Sequence, residues 1–125
     1  MTLPKTRAYT RGMSLHCSTC IDLLYFVGCP SYRRVCRDLV EVISKRGLDA
    51  CVRLVRIDTP ERAEALHLAG SPTVKVNGYD LEGYDGPGVL ACRVYRENGG
   101  KGWPSRQQLE RALSASGLRP LAPLG

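Results

Sequence analysis

The passage from a buried strand to an amphipathic helix at Cys29 and Pro30 constrains the fold of this chain more than any other feature. Residues 21–27 (IDLLYFV) form a nearly continuous apolar run, which is typical of a strand buried on both faces. After Pro30 the apolar residues recur with the period of a helix. The apolar side of that helix consists of Tyr32, Cys36, Leu39 and Ile43. A strand that leads directly into a helix indicates an α/β domain.

The start of the predicted helix gives Cys29 its chemical character. Pro30 suits the first helical position, so Cys29 is the predicted N-cap, and Gly47 is the predicted end of the helix. Free backbone N–H groups and the positive end of the helix dipole favour an anion at an N-cap. We therefore expect Cys29 to be partly exposed and to favour the thiolate, which is a nucleophile and a ligand for soft metals. The alternative is a half-buried thiol without a function.

The remaining elements follow in an order that limits the topology. Residues 51–58 predict a second strand, residues 59–70 begin with a Thr-Pro helix start, and residues 71–76 predict a third strand. Asn77-Gly78 is a strong hairpin signal, so a fourth strand is expected at residues 79–82. The last two segments complete the order. Residues 89–95 fit either a further strand or a packed loop, and residues 105–115 begin with a capping box and predict the last helix.

This order resembles the thioredoxin and glutaredoxin superfamily, with GCPSY between the first strand and helix and Ser71-Pro72-Thr73 at the third strand. Within it, the chain is most similar to small bacterial thioredoxin-family proteins described as alkylmercury-lyase-like. The stretches that carry this similarity are LLYFVGCPSY, GSPTVKVNGYDLE and LACRVYRENGGKGWP. The resemblance implies an α/β, thioredoxin-like fold: βαβ, a helix, a β-hairpin and a C-terminal helix around a central mixed four-stranded sheet.

The resemblance also implies a site around Cys29. In the superfamily the proline equivalent to Pro72 is cis and faces the active-site cysteine, so we expect a cis Ser71–Pro72 bond. The backbone at Ser71 and Pro72 would then align a thiol or disulfide substrate beside Tyr32. The chain departs from the family pattern because Tyr32 stands where a second cysteine would complete Cys-x-x-Cys. A local two-cysteine cycle is therefore impossible at this site.

A partner for Cys29 has to come from elsewhere in the chain. Cys36 follows two helical turns later, about 10 Å along the axis, and is predicted to pack in the core. Cys92 follows a glycine-rich stretch that returns to the same end of the sheet. It either approaches Cys29, as a resolving thiol or second soft-metal ligand, or lies inert in a strand or in the core.

Three further cysteines are expected at the opposite edge of the sheet. Cys17 and Cys20 form a Cys-x-x-Cys before the first strand, and Cys51 begins the second. Because the first two strands are predicted to be parallel neighbours, Cys20 and Cys51 should lie side by side. The predicted alternatives are a disulfide, a small metal site that includes His16, or unconnected free thiols.

The chain length and composition fit one globular domain. Residues 1–19 are an N-terminal extension with the Cys-x-x-Cys, residues 20–117 form the predicted domain, and residues 118–125 form an extended tail. No apolar run approaches the roughly 20 residues that span a membrane, and the first residues lack the apolar segment of a secretory signal. We therefore expect a cytoplasmic protein that does not bind membranes.

The charge pattern bears on the partners. The net charge is +6, and Arg33, Arg34 and Arg37 fall on one helix face. Since no aromatic residues are interleaved and no nucleic-acid-binding motif is present, we interpret this face as solvated and expect no nucleic-acid partner.

Three functions remain open at this point. The first is a thiol-dependent oxidoreductase or thiol carrier that acts on a small thiol or a protein, with Cys29 as the nucleophile and Cys92 as its partner. The second is a protein that binds a soft metal ion such as mercury or copper, or that processes organomercurials, and no other cofactor is expected. The third is a non-catalytic interaction module. An oligomer is compatible with all three.

Overall fold

Six strands and three helices form the part of the chain that the computed structural model describes, residues 19–115. The strands are β1 (Thr19–Tyr25), β2 (Ala50–Arg56), β3 (Ala69–Ser71), β4 (Thr73–Val76), β5 (Tyr79–Asp80) and β6 (Val89–Cys92). The helices are α1 (Tyr32–Arg46), α2 (Pro60–Ala65) and α3 (Arg106–Ala115), with a 3₁₀ turn at Arg96–Asn98. Strand β1 begins at Thr19, one residue before the predicted domain boundary. The predictions for His16, for Cys17 and for the tail 118–125 lie outside the described residues.

The central sheet is mixed and four-stranded, with the order β2-β1-β4-β5. Strand β1 runs parallel to β2 and antiparallel to β4. Strands β3 and β6 form a separate parallel pair. The α/β class and the mixed four-stranded sheet are therefore confirmed.

Strand β1 carries buried apolar side chains on both faces, as its apolar run predicts, but it ends at Tyr25 and not at Val27, which is exposed. Ile21 and Leu23 are fully buried in a cluster with α1 and α3. Leu24 points to the opposite face, where it packs with Ile57 and with Ala63 of α2. Because side chains alternate along a strand, one segment supplies both cores. The helices therefore lie in two layers, one on each side of the sheet.

Helix α1 begins two residues later than predicted. Its N-cap is Ser31, whose carbonyl accepts the first helical hydrogen bond from the Val35 N–H at 3.1 Å. Cys29 belongs to the turn before the helix, where its N–H donates to the Phe26 carbonyl at 3.1 Å. The prediction that Cys29 is the N-cap is therefore wrong. The predicted end is confirmed, because Gly47 adopts a left-handed conformation (φ 61°) there.

The predicted hairpin is present but its second strand is short. Asn77 and Gly78 have φ angles of 54° and 86°, as a tight two-residue hairpin turn requires. Strand β5 ends at Asp80 and not at Glu82, because the Asp80 carboxylate accepts hydrogen bonds from the Glu82 and Tyr84 N–H groups. These two bonds fold the chain out of the sheet immediately after Asp80.

The Ser71–Pro72 peptide bond is cis, as the family resemblance implies. It divides the predicted third strand into β3 and β4, which belong to different sheets. Residues 89–92 of the ambiguous segment form a strand, β6, which pairs with β3 and places Ser71 opposite Cys92. The fold therefore brings Cys92 next to the cis-proline.

Candidate functional site

Cys29 lies in the turn between β1 and α1, and its side chain is only 2% exposed. The expectation of a partly exposed Cys29 is therefore wrong. The physical reason is that the turn folds over Ser71: the Phe26 N–H donates to the Ser71 hydroxyl at 3.2 Å. The neighbouring Val27 side chain, in contrast, is 59% exposed.

The Cys29 thiol donates a hydrogen bond to the Ser71 carbonyl, with an Sγ–O distance of 3.3 Å. Ser71 is itself buried, and its carbonyl directly precedes the cis-proline Pro72. The structure thus brings together three of the predicted site residues. Because a thiolate has no proton to donate, this hydrogen bond exists only in the thiol form.

The same carbonyl also accepts a hydrogen bond from the backbone N–H of Arg93 at 3.0 Å. Cys29 Sγ and Arg93 N therefore lie at most about 6 Å apart, since one oxygen is bonded to both. Standard backbone geometry then places the Cys92 Cα atom within about 9 Å of Cys29 Sγ. We expected a substrate to align along the backbone of Ser71. In the structure β6 occupies that edge of the backbone.

Cys92 is exposed and is a free thiol. It is the register partner of Ser71 in neighbouring parallel strands, so the two side chains lie on the same face of the pair. The Ser71 hydroxyl on that face meets the turn at Phe26. The register thus places Cys92 beside Ser71, the residue to which the Cys29 turn is bonded. Cys92 therefore lies in a strand, one of the two positions that the inert alternative named, but its side chain is exposed and not in the core.

Sequence analysis did not identify Tyr95, whose side chain is hydrogen-bonded to the backbone of the cis-proline. Its hydroxyl donates to the Pro72 carbonyl at 2.6 Å, and its side chain is fully buried. Burial raises the pKa of Tyr95, against the effect of the nearby Arg93 charge, so the phenol stays protonated well into the alkaline range. The guanidinium of Arg93 lies over the ring, 4.3 Å from its centroid.

Arg93 was also missed, and it anchors the C-terminal end of β6. Its guanidinium forms a bidentate ion pair with Asp80 and also donates to the Thr73 hydroxyl at 3.3 Å. Burial by itself would raise the pKa of Asp80. The hydrogen bonds and the charge of Arg93 outweigh this effect of burial, and the backbone N–H groups of Tyr84 and Glu82 act in the same direction. Together they hold the pKa of Asp80 below its ordinary value. The segment 71–73 is thus fixed by side chains on both sides.

Tyr32 is the first residue of α1, and its ring stacks on Tyr25 with a centroid distance of 4.1 Å. The Tyr32 hydroxyl accepts a hydrogen bond from Arg33 at 3.3 Å. These contacts connect the end of β1 to the start of α1 on either side of the Cys29 turn. Its predicted role beside a substrate stays a prediction.

Cys36 packs against the main core cluster, and burial raises the pKa of its thiol. Its predicted structural role is in agreement with this position. The basic face of α1 is exposed, as expected. Arg34 and Arg37 lie within 4.0 Å of the Asp38 carboxylate, and Arg34 also packs over the Trp103 ring.

At the other edge of the sheet Cys20 and Cys51 are register partners in β1 and β2, so the predicted adjacency is confirmed. Cys20 is an exposed free thiol, whereas Cys51 is disulfide-bonded. Cys17 lies outside the described residues. Within residues 19–115, no group of three or more His, Cys, Asp or Glu side chains is placed to hold a metal.

Comparisons with known proteins add no assignment. No protein-family model matches the chain, and no curated protein matches it significantly. None of the described helices is long and apolar enough to cross a membrane.

Proposed function

We propose that this chain is a thiol–disulfide redox protein of thioredoxin-like architecture whose redox pair is Cys29 and Cys92. The observation that carries the proposal is the Ser71 carbonyl, which accepts hydrogen bonds from the Cys29 thiol and from the N–H that follows Cys92. The two cysteines are 63 positions apart in the sequence numbering, yet the Cys29 thiol and the residue after Cys92 donate to the same carbonyl oxygen.

The architecture supports the proposal through the position of Cys29. A parallel strand–helix–strand unit places this cysteine at the C-terminal end of the central strand, next to the N-terminus of α1. The antiparallel hairpin and α3 follow, and the carbonyl before the cis-proline accepts a hydrogen bond from the cysteine. These features are compatible with the arrangement that the family resemblance implies. In our proposal β6, in place of α1, supplies the second cysteine.

The pair can exchange two electrons with a substrate disulfide. The two thiols lose two electrons and two protons and form the Cys29–Cys92 disulfide, and the substrate leaves as two thiols. A disulfide requires Cα atoms within about 7 Å, and its formation breaks the hydrogen bond from the Cys29 thiol to the Ser71 carbonyl. A small thiol is the class of reductant that restores the dithiol.

Oxidation followed by peptide mapping tests the proposal. The reduced protein is treated with a substoichiometric amount of a small aliphatic disulfide and digested without reduction. We expect a cross-linked peptide pair that contains Cys29 and Cys92, and its loss in both Cys29→Ser and Cys92→Ser. The matched controls are Cys20→Ser and Cys36→Ser, which keep the cross-link because their thiols lie elsewhere.

The same variants separate the proposal from its alternatives. If stoichiometric Hg²⁺ binds through Cys29 and Cys92 while no cross-link forms on oxidation, the soft-metal function replaces the redox function. If neither reaction occurs, the chain is an interaction module that retains only the fold.

A further inference from the structure

We propose that Cys92, and not Cys29, is the thiol that first attacks an external disulfide, with Cys29 resolving from inside. This inference rests on the proposed redox pair and assigns the order of its two steps. It reverses the expectation from the sequence, in which the cysteine before α1 is the nucleophile.

Access to solvent distinguishes the two thiols. Thiol–disulfide exchange requires the attacking sulfur to reach the substrate sulfur, so its rate depends on exposure. Cys29 is 2% exposed and its thiol proton is bonded to the Ser71 carbonyl. Cys92 is exposed, as are all four residues of β6, and the side chain of Val94 beyond it is 60% exposed. An external disulfide therefore meets Cys92 without any movement of the chain.

Hydrogen bonds and an ion pair hold strand β6 at both of its ends. At its start, the Gly88 N–H donates to the Glu64 carboxylate and the Val89 N–H to the Leu68 carbonyl, both at 2.9 Å. At its end, Arg93 pairs with the buried Asp80. The Cys29 turn is held on Ser71 by the two hydrogen bonds from Phe26 and Cys29. In the second step the Cys29 thiol therefore gives up its bond to the Ser71 carbonyl.

The chemistry balances over two steps. In the first, the Cys92 thiolate attacks one sulfur of the substrate disulfide, a Cys92–substrate disulfide forms, and one substrate thiolate leaves. In the second, the Cys29 thiolate attacks the Cys92 sulfur, the Cys29–Cys92 disulfide forms, and the second substrate thiolate leaves. The two protons released by the cysteines neutralise the two leaving thiolates.

Single-turnover kinetics test which cysteine attacks first. The substrate is an aromatic disulfide, because the thiolate that it releases absorbs visible light. Cys20→Ser/Cys36→Ser is the parent, so that Cys29 and Cys92 are the reactive thiols among the described residues. We expect the parent to release two thiolates per chain. With Cys29→Ser added, one is released and a mixed disulfide is retained at Cys92. With Cys92→Ser added, the first release slows at least about ten-fold, since the remaining thiol is buried.

A labelling measurement on the unmodified chain removes any dependence on how the variants fold. Under brief treatment with iodoacetamide, we expect Cys92 to be alkylated at least about ten-fold faster than Cys29, with exposed Cys20 as the internal reference. If Cys92→Ser keeps the fast first release and Cys29 is labelled first, the order is overturned while the redox pair stands. If the parent forms no Cys29–Cys92 disulfide, the redox pair and the order both fail.

Discussion

Arg93 and Asp80 form a bidentate ion pair with nitrogen–oxygen distances of 2.5 Å and 2.8 Å, and their side chains are only 5% and 1% exposed. The pair connects the end of β6 to the hairpin that follows the cis-proline. Through its backbone N–H, Arg93 also bonds the Ser71 carbonyl on which Cys29 rests. The ion pair therefore fixes the geometry of the candidate site as well as the fold.

Arg93→Met is expected to lower the free energy of unfolding by about 3–5 kcal/mol, because the buried Asp80 carboxylate is left without its partner. Arg53→Met is the matched control. Arg53 makes the same bidentate contact with Asp22, but its side chain is 62% exposed, so a loss below about 1 kcal/mol is expected. Urea denaturation gives both values. The double variant Arg93→Met/Asp80→Asn should recover part of the loss, and no recovery would contradict the argument.

The free energy of unfolding should depend on pH through the titration of Asp80. Its pKa is below the ordinary value in the folded protein, so the unfolded chain binds the proton more readily. The stabilisation is present above the unfolded pKa of about 3.9 and is lost as the pH falls through the folded pKa. We expect the stability difference between the wild type and Asp80→Asn to be largest near pH 6 and to shrink below pH 4. Denaturation midpoints across this range measure it, and a constant difference would contradict it.

The positions of most elements were predictable because their signals are local. The apolar run of β1, the Thr59 cap that accepts from the Arg62 N–H, and the Asn77-Gly78 turn each depend on a few neighbouring residues. The cis bond at Pro72 was expected from the resemblance, and the structure confirms it.

The exposure of the two thiols was not predictable in the same way. The burial of Cys29 depends on the Ser71 carbonyl, 42 positions away in the chain. Arg93 and Asp80 are 13 positions apart, and their contact depends on how the hairpin folds back. A single arginine in the apolar segment 89–95 was the available signal, since a buried charge requires a partner. No periodic pattern in the sequence identifies Asp80 as that partner.

The disulfide at Cys51 predicts a distinct result in peptide mapping. Cys51 is disulfide-bonded, whereas its register neighbour Cys20 is free. Alkylation before reduction should label the Cys20 peptide and leave Cys51 unlabelled within a cross-linked pair. The mass of that pair identifies the second cysteine. A fully labelled Cys51 peptide before reduction would show that the bond does not form in solution.

Gly70 should be far less tolerant of a side chain than Gly78, although both have positive φ angles, 101° and 86°. A Cβ atom at Gly70 would lie 3.0 Å from the Ala91 carbonyl oxygen and from Arg93 Cα, whereas one at Gly78 would meet no atom within 4 Å. Gly78→Ala therefore reports the backbone conformation alone, at about 1 kcal/mol. Gly70→Ala should lose clearly more stability in urea denaturation, because β6 has to move away from β3.

The same pair of glycine variants connects packing to the redox proposal. Displacement of β6 moves Cys92 away from the Ser71 carbonyl, so Gly70→Ala should also slow the formation of the Cys29–Cys92 disulfide after the first thiolate is released. Gly78→Ala should leave that second step at the wild-type rate, since a Cβ atom at Gly78 would meet no atom within 4 Å. Equal rates of the second step in the two variants would mean that the β3–β6 contact does not position Cys92 for attack by Cys29.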